Sequence, residues 1–169
     1  RKSVFDGIII HVEHWQSELP NGKIAPREIA VHVGASAVVP VDEDGNVYMV
    51  RQYRCPLETV LLEIPAGKLE RGEDPYPAAL RELREETGGY TEQLEYLGDY
   101  YGSAGFCDEK LTLYFAKLSK IGETDPDEDD FLTVERYTLP VFEAMIARGE
   151  IVDGKTLSAY TLAKAKGLL

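Results

Sequence analysis

Cysteine is scarce in this chain of 169 residues: only Cys55 and Cys107 are present. Two are too few for a disulfide scaffold, and neither has a neighbour at zinc-ligand spacing. Positive charge is also in deficit, with 18 Lys and Arg against 30 Asp and Glu and a formal net charge of −12. Nucleic acids and anionic membranes are bound through excess Lys and Arg, so neither is expected as a partner. A small anionic substrate is compatible with the balance, because a divalent ion and a few placed arginines can reverse the field locally. No apolar run approaches the roughly 18 residues that span a bilayer. With no signal peptide or targeting tail legible, a cytoplasmic protein is expected. The chain begins at Arg1 rather than Met, which leaves room for preceding residues. Internal repeats and low-complexity tracts are absent, and the length suits one domain with a sizeable core. The three histidines, His11, His14 and His32, have no second His or Cys at metal spacing and read as structural.

What the chain does have is an acidic, glycine-bounded stretch, GKLERGEDPYPAALRELREETGG, from Gly67 to Gly89. Asp74 is a good N-cap with Pro75 behind it, and Gly88-Gly89 supplies a stop, so the pattern predicts a helix over residues 75–87. Side chains three and four apart share a helical face, which lets Glu82, Glu85 and Glu86 gather their carboxylates. Three like charges together repel unless a cation sits among them. An oxygen-only donor set suits a hard ion, Mg²⁺ or Mn²⁺, better than Zn²⁺. Taken alone, the same segment also reads as a solvated helix whose Glu and Arg pair along the surface.

The rest of the chain reads as short strands. Residues 4–13 and 23–33 form an antiparallel pair about the Pro20-Asn21-Gly22 turn, and residues 35–40 and 47–53 form a second pair. Residues 59–64 are a further strand, followed by strands over 93–101, 111–118 and 131–139. An acidic exposed loop is expected over 121–130, with closing helices over 140–148 and 155–166. Several strands interrupted by one helix and closed by two others indicate an α+β sandwich rather than an alternating parallel sheet.

Gly67, Glu73 and the run Arg81-Glu82-Leu83-Arg84-Glu85-Glu86-Thr87-Gly88 stand at the spacings of the Nudix hydrolase signature, which this sequence resembles. The final position departs from the pattern: Gly89 stands where the family usually has an aliphatic residue. The resemblance implies an α/β/α sandwich with a mixed sheet. Glu82, Glu85, Glu86 and the Ala66 carbonyl would hold Mg²⁺, or Mn²⁺, and Glu73 and Arg81 would brace the signature. Three further stretches resemble the ADP-ribose pyrophosphatase branch: Arg51-Gln52-Tyr53-Arg54 ahead of Leu62-Glu63-Ile64-Pro65-Ala66-Gly67, the loop from Tyr101 to Glu109, and the acids Asp127-Glu128-Asp129-Asp130. Arg54, and after it Arg51, would hold diphosphate oxygens in a forked geometry. Gly105 belongs to the second stretch, where Ala104 replaces the branch's usual proline. Glu128 or Asp129 would activate water, alongside Glu85 and Glu86. Residues 1–40 would form an N-terminal β segment that exchanges between the subunits of a homodimer, with residues 41–169 the catalytic domain. Trp15, Arg27 and Glu28 would then reach the adenine. The implied reaction is hydrolysis of ADP-ribose to AMP and ribose 5-phosphate. The alternatives are another nucleoside-diphosphate-sugar or dinucleotide hydrolase, or a module that senses such a ligand without cleaving it.

Overall fold

In a computed structural model, which describes residues 1–125 and 132–169, the chain opens with three strands: β1 (Lys2–Asp6), β2 (His11–Glu18) and β3 (Ile24–Val31). They form their own antiparallel sheet in the order β1-β2-β3. The single strand expected over residues 4–13 is therefore two, because Asp6-Gly7 starts a turn in which Gly7 N–H donates to Ile10 O at 2.9 Å. The Pro20-Asn21-Gly22 turn joins β2 to β3 with Gly22 at φ +77°. Two backbone bonds fix β3 to a later loop, from Ala30 N–H to Phe106 O at 2.7 Å and from Asp108 N–H to Ala30 O at 3.2 Å.

Seven strands make the main sheet: β4 (Ala35–Val41), β5 (Asn46–Arg54), β6 (Thr59–Glu63), β7 (Ala66–Lys68), β9 (Leu94–Tyr100), β10 (Leu111–Lys117) and β12 (Leu132–Thr138). The short β8 (Gly89–Tyr90) and β11 (Lys120–Ile121) pair separately. The main order is β12-β5-β4-β10-β9, with β6 added to β5 and β7 to β4. β4 and β10 run parallel and every other pairing in it is antiparallel, so the sheet is mixed, as expected. The expected β4–β5 pair meets only at Val41 and Val47. Beyond that point the strands part, and β7 takes β4 from Ala35 to Ala37 while β6 takes β5. A boundary at residue 40 falls inside β4, whereas the two sheets divide between Val31 and Ala35.

Both faces of the main sheet are covered. On one, Ala37, Val39, Met49 and Leu113 pack with Phe142 of α2 (Leu139–Ala147) and Ala159 of α3 (Gly154–Ala165). On the other, Val38, Tyr48, Tyr114 and Ala116 pack with Ala79 and Leu83 of α1 (Pro75–Thr87). The alternation 37, 39 against 38, and 113 against 114, is the period of two that a strand buried on both faces requires. None of the helices among the described residues is long and apolar enough to cross a membrane.

Candidate active site

α1 occupies residues 75–87, as its caps predict. Asp74 accepts from Tyr76 N–H at 2.8 Å, and Gly88 closes the helix at φ +68°. Two of the three expected acids press against β7. Ala66 N–H donates to Glu86 Oε2 at 3.0 Å, and a Cβ on Gly67 would fall inside the Glu82 carboxyl group. That close approach requires glycine at position 67. Glu86 is buried and Glu85 half-exposed. Arg81 contacts Glu85 at 3.2 Å and Glu73 at 3.5 Å, and it also reaches Glu82 at 2.6 Å, so it lies among the site acids and not only beside them. Burial alone would lower the Arg81 pKa, but the surrounding carboxylates hold it above its ordinary value. Glu73 in turn accepts from Glu70 N–H at 2.8 Å and closes the loop ahead of the helix.

Among the described residues, no three Asp, Glu, His or Cys side chains converge on one ion-sized point. The Arg81 guanidinium bridges Glu82 and Glu85 instead. The donors present still fit a divalent ion in kind: hard carboxylate oxygens drawn onto one segment of backbone, with a cationic group already balancing their charge.

Beside this cluster lies a cavity of about 330 Å³ lined by Arg54, Ala66, Gly67, Lys68, Asp153 and Lys155, among others. Arg54 forks onto Glu63, with Nε donating to Oε1 at 2.7 Å and Nη2 to Oε2 at 2.6 Å. Lys155 Nζ donates to the same Oε2 and lies 3.1 Å from Asp153 Oδ2. Only 2 % of the Glu63 side chain is exposed. Burial would raise its pKa, but the hydrogen bonds and charges of Arg54 and Lys155 hold it below the ordinary value. Arg54 is held above its own value, chiefly by that bond to Glu63, with Asp153 and Glu86 contributing at longer range.

Neither Glu63 nor Lys155 was singled out from sequence. The available signal was an acid inside the apolar strand Thr59–Glu63, and a lysine directly after the Asp153-Gly154 helix start. Arg51 is directed elsewhere: its Nε donates to Glu135 at 2.6 Å, and Nη2 lies 3.4 Å from the Tyr137 hydroxyl. Trp15, Arg27 and Glu28 share the N-terminal hairpin, with Trp15 opposite Arg27 and His14 opposite Glu28. None of the three lines the Arg54 cavity. Trp15 instead donates to Glu13 at 2.6 Å and carries the Arg1 guanidinium 3.8 Å above its ring. Gly105 sits in an exposed turn whose ends are held by Phe106 N–H and Cys107 N–H bonds to Ser103 O. Glu128 and Asp129 lie outside the described residues. A larger hollow of about 490 Å³, lined in part by Gln93, Phe115 and Leu168, contains none of the signature residues.

The NUDIX domain profile matches residues 30–160. The chain belongs to the Nudix family. Among similar proteins is the methanol dehydrogenase activator of Bacillus methanolicus, 44% identical over 160 residues, covering 94% of this chain and 86% of the relative. The ADP-ribose pyrophosphatase of Bacillus subtilis (strain 168) is 42% identical over 171 residues, covering 100% of this chain and 92% of that protein. A crystal structure of an ADP compounds hydrolase superposes with a TM-score of 0.81 at 24% identity, over 99% of this chain and 94% of the other, which shows a shared fold. The protein is thus a Nudix hydrolase with the α+β architecture its signature implied.

Proposed function

We propose that this Nudix hydrolase cleaves the diphosphate of ADP-ribose with Mg²⁺, or Mn²⁺, as cofactor. Water adds to one phosphorus and the bridging oxygen leaves with the other phosphate, giving AMP and ribose 5-phosphate. The observation that carries this reading is the full-length similarity to a named ADP-ribose pyrophosphatase. A cleft that sets Arg54 and Lys155 beside the signature acids supports it.

Glu82, Glu85, Glu86 and the Ala66 carbonyl are the groups that would hold the divalent ion, which when bound offsets diphosphate charge and acidifies water. Arg54 uses Nε and Nη2 on Glu63, so Nη1 is the nitrogen it presents to a phosphate oxygen. Arg81 restrains Glu82 and Glu85, and Glu73 restrains Arg81. The assignment of Glu128 or Asp129 to water activation rests on the sequence alone. The exposed Phe5, Ile8, Ile9, Ile10 and Ile24 support a homodimer formed through the N-terminal strands, in which Trp15, Arg27 and Glu28 serve the partner's substrate. Both cysteines are free, in keeping with action in the cytoplasm.

The test is turnover with Mg²⁺ across ADP-ribose, ADP-glucose, GDP-mannose and NADH, run beside Glu86→Gln. ADP-ribose is expected to be the preferred substrate, with kcat/KM lowered by roughly 100-fold or more in the variant. Preference for another member of the panel selects the second reading, which the exposed Ala104 turn favours. Tight binding without turnover selects the sensing module.

A further inference from the structure

The first turn of α3 is knitted into the strand pair that leads to the site. Asp153 Oδ2 accepts from Thr156 N–H at 3.0 Å and from the Thr156 hydroxyl at 2.6 Å, and it lies 3.1 Å from Lys155 Nζ. Thr156 Oγ1 accepts from Ile64 N–H at 2.9 Å, so this turn also holds the backbone between Glu63 and Ala66. A Cβ on Gly154 would come within 2.5 Å of the Tyr100 hydroxyl, and Tyr100 is another wall of the cavity. The side chains of Glu63, Asp153 and Lys155 are 2 %, 15 % and 10 % exposed. Charges so deeply withdrawn from water persist only when paired: Glu63 is paired across elements with Arg54 and Lys155, and Asp153 with Lys155 within the turn itself.

We propose that Asp153, Lys155 and Glu63 form a positioning set for the anion site: Lys155 shares Glu63 with Arg54, fixing the guanidinium and leaving its positive charge available to the substrate diphosphate. The proposal deepens the diphosphate-hydrolase reading and rests on it. Its logic is a count of charges. Arg54 and Lys155 are balanced by Glu63 and Asp153, so the quartet is neutral, with Arg54, Lys155 and Asp153 lining the cleft and Glu63 behind them. Removing Lys155 leaves Arg54 neutralised by Glu63 and the quartet net negative. Removing the charge of Asp153 leaves it net positive. An anion in the cleft feels these changes with opposite sign.

The experiment measures kcat and KM for ADP-ribose, and calorimetric binding of inorganic pyrophosphate without divalent ion, in wild type, Lys155→Met, Lys155→Arg and Asp153→Asn. Lys155→Met leaves Glu63 paired with Arg54, so the fold is expected to survive. Its KM and pyrophosphate Kd should rise about tenfold, with kcat changed by less than about threefold. Lys155→Arg should recover most of the loss. Asp153→Asn keeps a capping oxygen and should tighten pyrophosphate binding by about threefold. A scaffold role alone would weaken binding in both Lys155→Met and Asp153→Asn, in step with thermal stability, and that result overturns the proposal. So do unchanged KM and Kd in Lys155→Met. If that variant does not fold, the sign of the Asp153→Asn shift decides. Opposite-signed pyrophosphate shifts with no ADP-ribose turnover would remove the substrate assignment while leaving the positioning set standing. Turnover without those shifts would do the reverse.

Discussion

Glu63 accepts hydrogen bonds from two cations and lies almost wholly out of water, so its charge is coupled to folding. Its pKa lies below the ordinary 4.5 in the folded protein, while in the unfolded chain it is ordinary. As pH falls below about 4.5 the unfolded chain takes up the proton first, so unfolding becomes easier; above that value the stabilisation is fully present. Urea unfolding as a function of pH should therefore show stability declining below about pH 4.5. Glu63→Gln should cost about 3 kcal/mol at neutral pH, because it leaves Arg54 without its carboxylate and Lys155 with Asp153 alone, and should flatten the acid decline. An acid limb of equal slope in the variant would assign the decline to other groups. Glu135, also lowered by its bonds from Arg51 and Tyr137, contributes less because it is more exposed. Glu63 is not legible from sequence because its meaning lies in Lys155, 92 positions away, whereas Glu82, Glu85 and Glu86 lie close together on one helix. Arg51 and Arg54 show the same limit: both are arginines near a strand end, and only tertiary partners distinguish them.

The bounds of α1 were legible because caps are local. An N-cap Asp, an N1 Pro and a C-terminal Gly each act on backbone groups within a few residues. Strand partners were less so: β4 takes β10 on one side and β5 and then β7 on the other, a choice made by burial over the whole sheet. Gly89, the departure from the signature, also has a reason visible only in three dimensions. It is buried, and a Cβ there would lie 2.9 Å from Thr87 Oγ1, 3.0 Å from a Leu118 methyl and 3.1 Å from a Leu83 methyl. Restoring the family's usual residue with Gly89→Ile should therefore destabilise the protein by about 1–3 kcal/mol, read as a lower Tm. A Tm equal to or above that of wild type would show that the α1–β8 junction can open to accept it.

At the scale of the molecule, the N-terminal strands and the turn between β1 and β2 leave apolar side chains exposed, Ile8 at 96%. The inferred dimer predicts sedimentation at twice the monomer mass. Phe5→Asp combined with Ile10→Asp should shift it to monomer and weaken ADP-ribose binding, with secondary structure unchanged by circular dichroism. A monomeric wild type would remove Trp15, Arg27 and Glu28 from the substrate site. The bond from Ile64 N–H to Thr156 has a consequence for how the molecule comes into being. The cleft needs residues about 90 positions beyond β6, so the entropy of closing a loop of that length must be met before the anion site exists. A nascent chain can already carry Arg54 and the complete signature helix and still lack Lys155. The anion pocket therefore closes only once residues 153–156 have been made, well after the signature helix.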